Sequence, residues 1–256
     1  MAWAQIVSDS LGIVPSPTET TKFGLTVGRF NIGMNWKLFD ENLPRALDEI
    51  KTLIESSDYE LLIFRCPSRF TAEMNKLKFT NQEMLFTGTL VYWELTSNDA
   101  LWGMTSSVQI STASQIGPLR FNEILDALDS SFSGYKNHYA ANPKLHLNFA
   151  TSSYRNWADR ILQNNPESVL VGLVDGEIAG IVFTEHSDAG PLEVLLAGVD
   201  SDFQRRGVYT ALLQGVAETA RAAGIANSVI STQSENISVQ RAWAKAGFLP
   251  KYSLDT

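Results

Sequence analysis

The sequence predicts an α/β fold, and three observations predict it. Leu192 to Val199 is an apolar run that reads as a strand. It passes through a polar turn centred on Gln204-Arg205-Arg206-Gly207 into a helix rich in small residues, Val208 to about Ala223. Upstream, Ser168–Val174 and Glu177–Phe183 flank Asp175-Gly176, the signature of a β-hairpin. Residues 22 to 95 alternate strand-like and helix-like segments as a smaller β-α-β-α-β unit.

Each element has its own warrant. Phe23, Leu25 and Val27 alternate with smaller residues as a strand would, after a Pro/Ser/Thr-rich lead-in from Ser8 to Thr21. Leu43, Leu47, Ile50 and Ile54 fall at helical spacing behind Asp40, a residue type that caps helices. Tyr59–Phe64 and the aromatic, β-branched run Phe86–Leu95 read as strands, with Ser68 capping a short helix between them. Residues 96 to 118 are the boundary candidate, with a short strand around Val108–Ile110. Two domains follow, residues 1–100 and 107–256. In the second, Leu119–Phe132 is a helix with Ile124, Leu125, Leu128 and Phe132 on one face. Ser152-Ser153 open another, which carries Tyr154, Trp157 and Ile161. A strand at Ile225–Ser231, a helix at Ile237–Ala246 and a last strand from Phe248 complete the chain.

Composition excludes several classes of function. A chain of 256 residues has room for one large domain or two modest ones. Its net charge of -8 argues against nucleic acid, because neutralising phosphates needs a basic surface. The lone Cys66 cannot form an intrachain disulfide, which suits a reducing, cytoplasmic setting. Met1–Val14 makes a poor signal peptide, and no apolar run approaches the ~20 residues of a membrane span. His138, His146 and His186 show no metal-ligand spacing, so no metal is expected.

The turn at 204–207 carries the chemistry. A strand, a glycine-bearing turn and a helix N-terminus aim several backbone N–H groups at one point, and the helix dipole favours an anion there. Gln204-Arg-Arg-Gly207-Val-Tyr209 resembles motif A of the GCN5-related N-acetyltransferase (GNAT) family. Asn236-Ile-Ser-Val239 followed by Trp243-Ala-Lys-Ala-Gly247-Phe248 resembles its motif B. The resemblance covers roughly residues 107 to 256. Thr232-Gln233 ahead of Asn236 is similar to members of the dTDP-fucosamine acetyltransferase kind, which place a degenerate half before the catalytic one.

The resemblance implies a mixed central sheet of GNAT type, with a smaller degenerate GNAT-like N-terminal α/β half. It implies acetyl-CoA or another acyl-CoA as cofactor. The pyrophosphate would rest on the amides of Arg205, Arg206, Gly207, Val208, Tyr209 and Thr210, with Gln204, Asn236 and Trp243 also touching the cofactor. The pantetheine arm would pair with a strand edge exposed where the strand ending at Val199 splays from the next. The backbone N–H of Val199 or its neighbour would stabilise the oxyanion. Glu193, eleven residues before Gln204, takes the place of the family's general base, acting directly or through a water. Asn236 is the alternative holder of such a water.

Two positions depart from the family pattern. Trp243 stands four residues before Gly247, where many relatives carry a tyrosine acid, and Tyr209 stands where glycine or alanine is usual. An indole N–H donates a hydrogen bond but releases no proton near neutral pH. The thiolate then leaves without a tyrosine acid, or Tyr209 or a water substitutes, or catalysis has been lost. Tyr135, His138 and Tyr139 sit where relatives wall the acceptor site. The implied activity is transfer of an acyl group to a primary amine, with an amino sugar on a nucleotide carrier as one acceptor class. A small amine or peptide is the alternative acceptor, and a non-catalytic acyl-CoA-binding module is the alternative of another class. A homodimer is left open, and no membrane partner is expected.

Overall fold

The computed structural model describes residues 11–97, 107–135, 138–145, 152–186 and 190–256. His146 and the middle of the boundary candidate, 98–106, lie outside the described residues. The chain forms two compact units. The described residues within 1–90, 137–149 and 252–256 make the first, and those within 91–136 and 150–251 make the second. The division differs from a cut near residue 100, because two later segments join the first unit.

The first unit runs β1 (Leu11–Pro15), α1 (Pro17–Phe23), β2 (Val27–Ile32), α2 (Leu38–Glu41), α3 (Leu43–Glu55), β3 (Leu61–Pro67) and α4 (Thr71–Met74). β1 pairs antiparallel with β2, β2 parallel with β3, and Leu254 and Asp255 antiparallel with Pro67 and Cys66. β1 and α1 occupy the stretch expected to be a loose lead-in, and the next strand starts at Val27 rather than Phe23. Pro17 begins α1, where a missing N–H is harmless. Gly24 ends it at φ 65 with its N–H on the Thr20 carbonyl. The cap of α3 is Asn42, which accepts from the Arg45 N–H, and not Asp40.

One face of this small sheet is apolar. Phe30, Ile32 and Cys66 bury against Ala46, Ile50 and Ile54 of α3. Burial, with Asp255 nearby, pushes the Cys66 thiol up to about 12, so it is inert. The alternate residues Arg29, Asn31 and Arg65 take the opposite face. There Arg29 pairs with Glu19 of α1, and the Tyr139 hydroxyl donates to the same carboxylate at 2.8 Å.

Burial raises the Glu19 carboxyl. The Arg29 charge and hydrogen bonds from Ser16, Tyr139 and Arg29 outweigh that and carry it from 4.5 to about 2. A depressed folded value stabilises the fold above the unfolded one, and the contribution is lost as pH falls through the folded value. Urea midpoints should therefore fall as pH drops from 4.5 toward 2. A Glu19→Gln variant should be weaker at neutral pH and flatter across that window. Parallel curves for the two proteins would count against this.

The second unit contains β4 (Thr89–Thr96, from Val91 on), β5 (Gln109–Thr112), α5 (Ala113–Ile116), α6 (Phe121–Ser131), α7 (Ser152–Asn164), β6 (Val169–Val174), β7 (Glu177–His186), β8 (Leu192–Val199), α8 (Val208–Ala222), β9 (Asn227–Gln233), α9 (Ile237–Lys245) and the start of β10 (Leu249–Asp255). Its sheet runs β10-β4-β9-β8-β7-β6-β5. β5 to β8 are antiparallel neighbours, whereas β8 and β9 are parallel, joined by α8 as crossover. The α/β class with a mixed sheet is the architecture read from the sequence.

Helices cover both sheet faces. Leu212, Leu213, Val216 and Ala220 of α8 pack with Trp243 of α9 on Leu170, Val182, Val194 and Ile230. Ile124 and Leu128 of α6 pack with Leu162 of α7 on Val169, Ile181, Phe183 and Leu196. β6 and β7 are buried on both faces and read as continuous apolar runs, as central strands should.

Candidate active site

The site is built by a single irregularity in β8. Phe183 pairs with Leu196 and Thr184 with Val194, so Leu195 is a bulged residue with no partner of its own. A bulge adds twist and re-aims the strand that carries it. On the other edge, β8 pairs with β9 over Leu192↔Ser228, Glu193↔Val229 and Val194↔Ile230. There the register ends, although the strands continue to Val199 and Gln233. The bulge therefore falls where the two strands part, and a notch opens between their C-terminal ends.

The amides along β8 can be assigned by alternation. The Asp200 N–H donates to the Ala179 carbonyl at 3.0 Å, toward β7. In an extended strand the N–H of Gly198 points the same way, and those of Ala197 and Val199 point to the notch. Gly198 itself must be glycine: an added Cβ would stand 2.4 Å from Ser131 Cβ of α6. The close approach presses the end of α6 against the splayed half of β8.

Beyond β8 the turn supplies the anion cradle. Gln204 is extended, Arg205 has φ 62, and Gly207 has φ 80 as the residue before α8. A non-glycine residue at positive φ is uncommon, and such alternation turns successive N–H groups inward as a nest. No side chain caps α8, so the first-turn amides of Val208, Tyr209 and Thr210 face outward beyond Gly207. Gln204 to Gly207 are exposed, and a Cβ on Gly207 would meet nothing within 4 Å. Arg206 lies over the Phe203 ring at 5.2 Å. The fit for a pyrophosphate rests on this open, donor-lined turn.

Glu193 is 8% exposed and lies one residue before the strands part. Leu192 and Val194 point into the α8 layer, so the Glu193 side chain lies on the α6 and α7 side. Polar residues also occupy the parting end of β9. Thr232 and Gln233, just beyond the last β9 pair, are 6% and 4% exposed. Asn236 Nδ2 donates to Thr232 Oγ1 at 3.1 Å, and Ser238 Oγ donates to Asn236 Oδ1 at 3.2 Å. The Tyr135 phenol is hydrogen-bonded to the Thr232 side chain and to the Gln233 backbone. Burial raises its pKa and these two bonds pull the other way.

The other expected residues have surroundings of their own. Trp243 is 1% exposed. Its indole N–H donates to the Tyr209 hydroxyl at 2.9 Å, and its ring meets Trp93 edge-on at 6.1 Å. It is thus a core residue rather than an open wall for the pantetheine arm, because a large indole with its N–H satisfied is most stable buried. Burial holds the Tyr209 phenol well above its ordinary value, so it keeps its proton. His138 and Tyr139 belong to the first unit. Burial, followed by Arg65 and Arg29, holds His138 well below its ordinary value and keeps the imidazole neutral. Sequence reasoning marked Thr232-Gln233 only as part of a family resemblance and gave neither residue a role in the site, and it missed the Leu195 bulge. A second signal for Thr232 and Gln233 was a strand that turns polar, Ser231-Thr232-Gln233, directly after Val229-Ile230.

The family model described as Acetyltransferase (GNAT) family matches residues 123–248. No curated protein matches the chain. Among solved structures, a GCN5-related N-acetyltransferase from Sphaerobacter thermophilus is 15% identical, with a TM-score of 0.55, over 90% of this chain and 72% of that one. A GNAT-family acetyltransferase from Colwellia psychrerythraea is 14% identical, TM-score 0.55, over 88% and 75%. A Drosophila protein is 13% identical, TM-score 0.59, over 92% and 75%. At such identities these structures speak to the fold alone. Over residues 123–248 the chain is similar to the acetyltransferases of the GNAT family, and its α/β fold is one that solved members of that family share.

Proposed function

We propose that this protein transfers an acyl group from acyl-CoA, acetyl-CoA foremost, to the primary amine of a small molecule. The observation that carries the reading is the parting of β8 from β9 after Val194 and Ile230, in line with the exposed turn 204–207. An extended ligand with amides in its arm and an anion at its middle matches such a notch and turn. The pyrophosphate would lie on the amides of Arg205 to Thr210, where helix dipole and nest both favour negative charge. The arm would run along the edge of β8, and the carbonyl oxygen would meet the N–H of Val199 or Ala197.

Glu193 would accept the proton of the attacking amine, directly or through a water; the support is its place one residue before the end of the β8–β9 ladder. Asn236 would act through Thr232 and β9 rather than on the reacting atoms. Tyr135 would stand on the acceptor side of the same notch. An amino sugar on a nucleotide carrier is one acceptor of the right chemistry. Its primary amine is the only part of it that the groups described here address.

The test is release of free thiol. The protein mixed with acetyl-CoA and a panel of primary amines, amino sugars included, should liberate thiol above the rate of either component alone. A chain that binds CoA by calorimetry but releases no thiol with any amine would be a binding module, and the reading would be lost.

A further inference from the structure

We infer that Tyr135 is the proton donor to the departing thiolate. The inference rests on the acyl-CoA reading above and goes beyond it by naming a group for the second half of the reaction. Trp243 and Tyr209 are committed to each other by the bond from Nε1 to Oη, inside the core. Trp243 thus has no proton left for the notch, and Tyr209 packs with it against the core.

Tyr135 spans the notch. Its ring meets Phe132 edge-on at 5.5 Å, and Phe132 lies 3.6 Å from where a Cβ on Gly198 of β8 would stand. Its oxygen reaches Thr232 and Gln233 on β9. Ala197, with its N–H toward the notch, is three residues past the last paired residue of β8, and Gln233 is three past that of β9. A carbonyl held by the Ala197 or Val199 amide on one strand therefore has the phenol on the strand opposite. Glu193 lies on the same side of the sheet, at the closed end.

The hydrogen-bond directions suit a donor. Asn236 Nδ2 donates to Thr232 Oγ1, and the Thr232 hydroxyl keeps a proton that it can give to the Tyr135 oxygen. The Gln233 N–H can only donate. In that arrangement the phenol oxygen receives two hydrogen bonds and its own proton points away from both. These two donors stabilise the phenolate that forms once the proton is given up. Thr232 and Asn236 are positioning residues in this arrangement.

The step balances. The amine nitrogen adds to the thioester carbonyl carbon, and the carbon–sulfur bond breaks with its electron pair going to sulfur. Sulfur takes the Tyr135 hydroxyl proton. The proton lost by the nitrogen leaves through Glu193 and returns through solvent to the phenolate. The products are an amide and a free thiol. Thiols titrate near 8.5, so the departing sulfur takes a proton at neutral pH.

The experiment compares leaving groups in the full chain, with hydroxylamine as acceptor and hydroxamate as readout. The donors are acetyl-CoA and the acetyl selenoester of coenzyme A, whose selenolate leaves without a proton. Tyr135→Phe should lower kcat with acetyl-CoA by about 10²-fold while KM changes little. With the selenoester it should fall within a factor of about three of wild type. Thr232→Val should show the same pattern at about tenfold, and it keeps the idea testable should the Phe variant fold poorly. Unchanged acetyl-CoA turnover in both variants, or equal losses with both donors, would overturn the assignment. Equal losses would mean packing or positioning alone. Wild-type protein that forms no hydroxamate above the protein-free rate and releases no thiol with any amine of the panel would instead remove the acyl-transfer reading, and this inference with it.

Discussion

Glu193→Gln should cut kcat/KM for amine acylation by ~10²–10⁴-fold, the usual worth of a positioned general base. The substitution keeps shape and removes only the capacity to take a proton. Glu193 pairs in register with Glu185 and Val229, in the last stretch where β8 is held on both edges. Its backbone is therefore fixed by two ladders, and the variant should fold as the parent does. CoA affinity should be unaffected, since the carboxylate lies far along β8 from the turn at 204–207. The loss should shrink as pH rises, because free amine then becomes abundant without help from the protein. A Glu193→Gln protein with parental activity across the pH range would show that the base lies elsewhere, a water held by Asn236 being the next candidate.

What the sequence made legible was whatever rests on local pattern. β8 and α8 were read to within a residue, because an apolar strand, a glycine that must take positive φ and a small-residue helix leave few alternatives. The hairpin of β6 and β7 was readable from Asp175-Gly176, and both residues do take positive φ. β1 and α1 were not, because Pro17, Thr18 and Thr20 score as loop formers. Their helix depends on a proline at its first position and on Glu19 docking to Arg29. In the site, the turn was legible and the notch only in outline. The bulge at Leu195 depends on register with β7, which no local periodicity reports. The contact of Tyr135 with Thr232 joins residues nearly a hundred positions apart, and the pairing of Trp243 with Tyr209 is likewise non-local. Non-local pairing decides such features, and a single sequence is silent on it.

Gly207→Trp should abolish measurable CoA binding while leaving the fold intact. Two effects must be separated. Any L-residue at φ 80 carries strain, about 1–2 kcal/mol for the left-handed region. That strain falls on stability and is shared by Gly207→Ala. The bulk is different: a Cβ at this position meets nothing within 4 Å, so the indole would project into the open space before α8 rather than clash with the protein. That space is where a pyrophosphate must lie to reach the amides of residues 208 to 210. Hydrogen bonds to a charged group contribute ~1.5–3 kcal/mol each, so losing two of them costs at least about 10²-fold in Kd. Calorimetry should show weakened but real binding for Gly207→Ala and none for Gly207→Trp, with both melting a few degrees below the parent. Raising the salt should weaken parental binding, as expected for an anion on exposed donors. If Gly207→Trp bound CoA as the parent does, the pyrophosphate would not lie on this turn, and the site would have to be sought along another edge of the sheet.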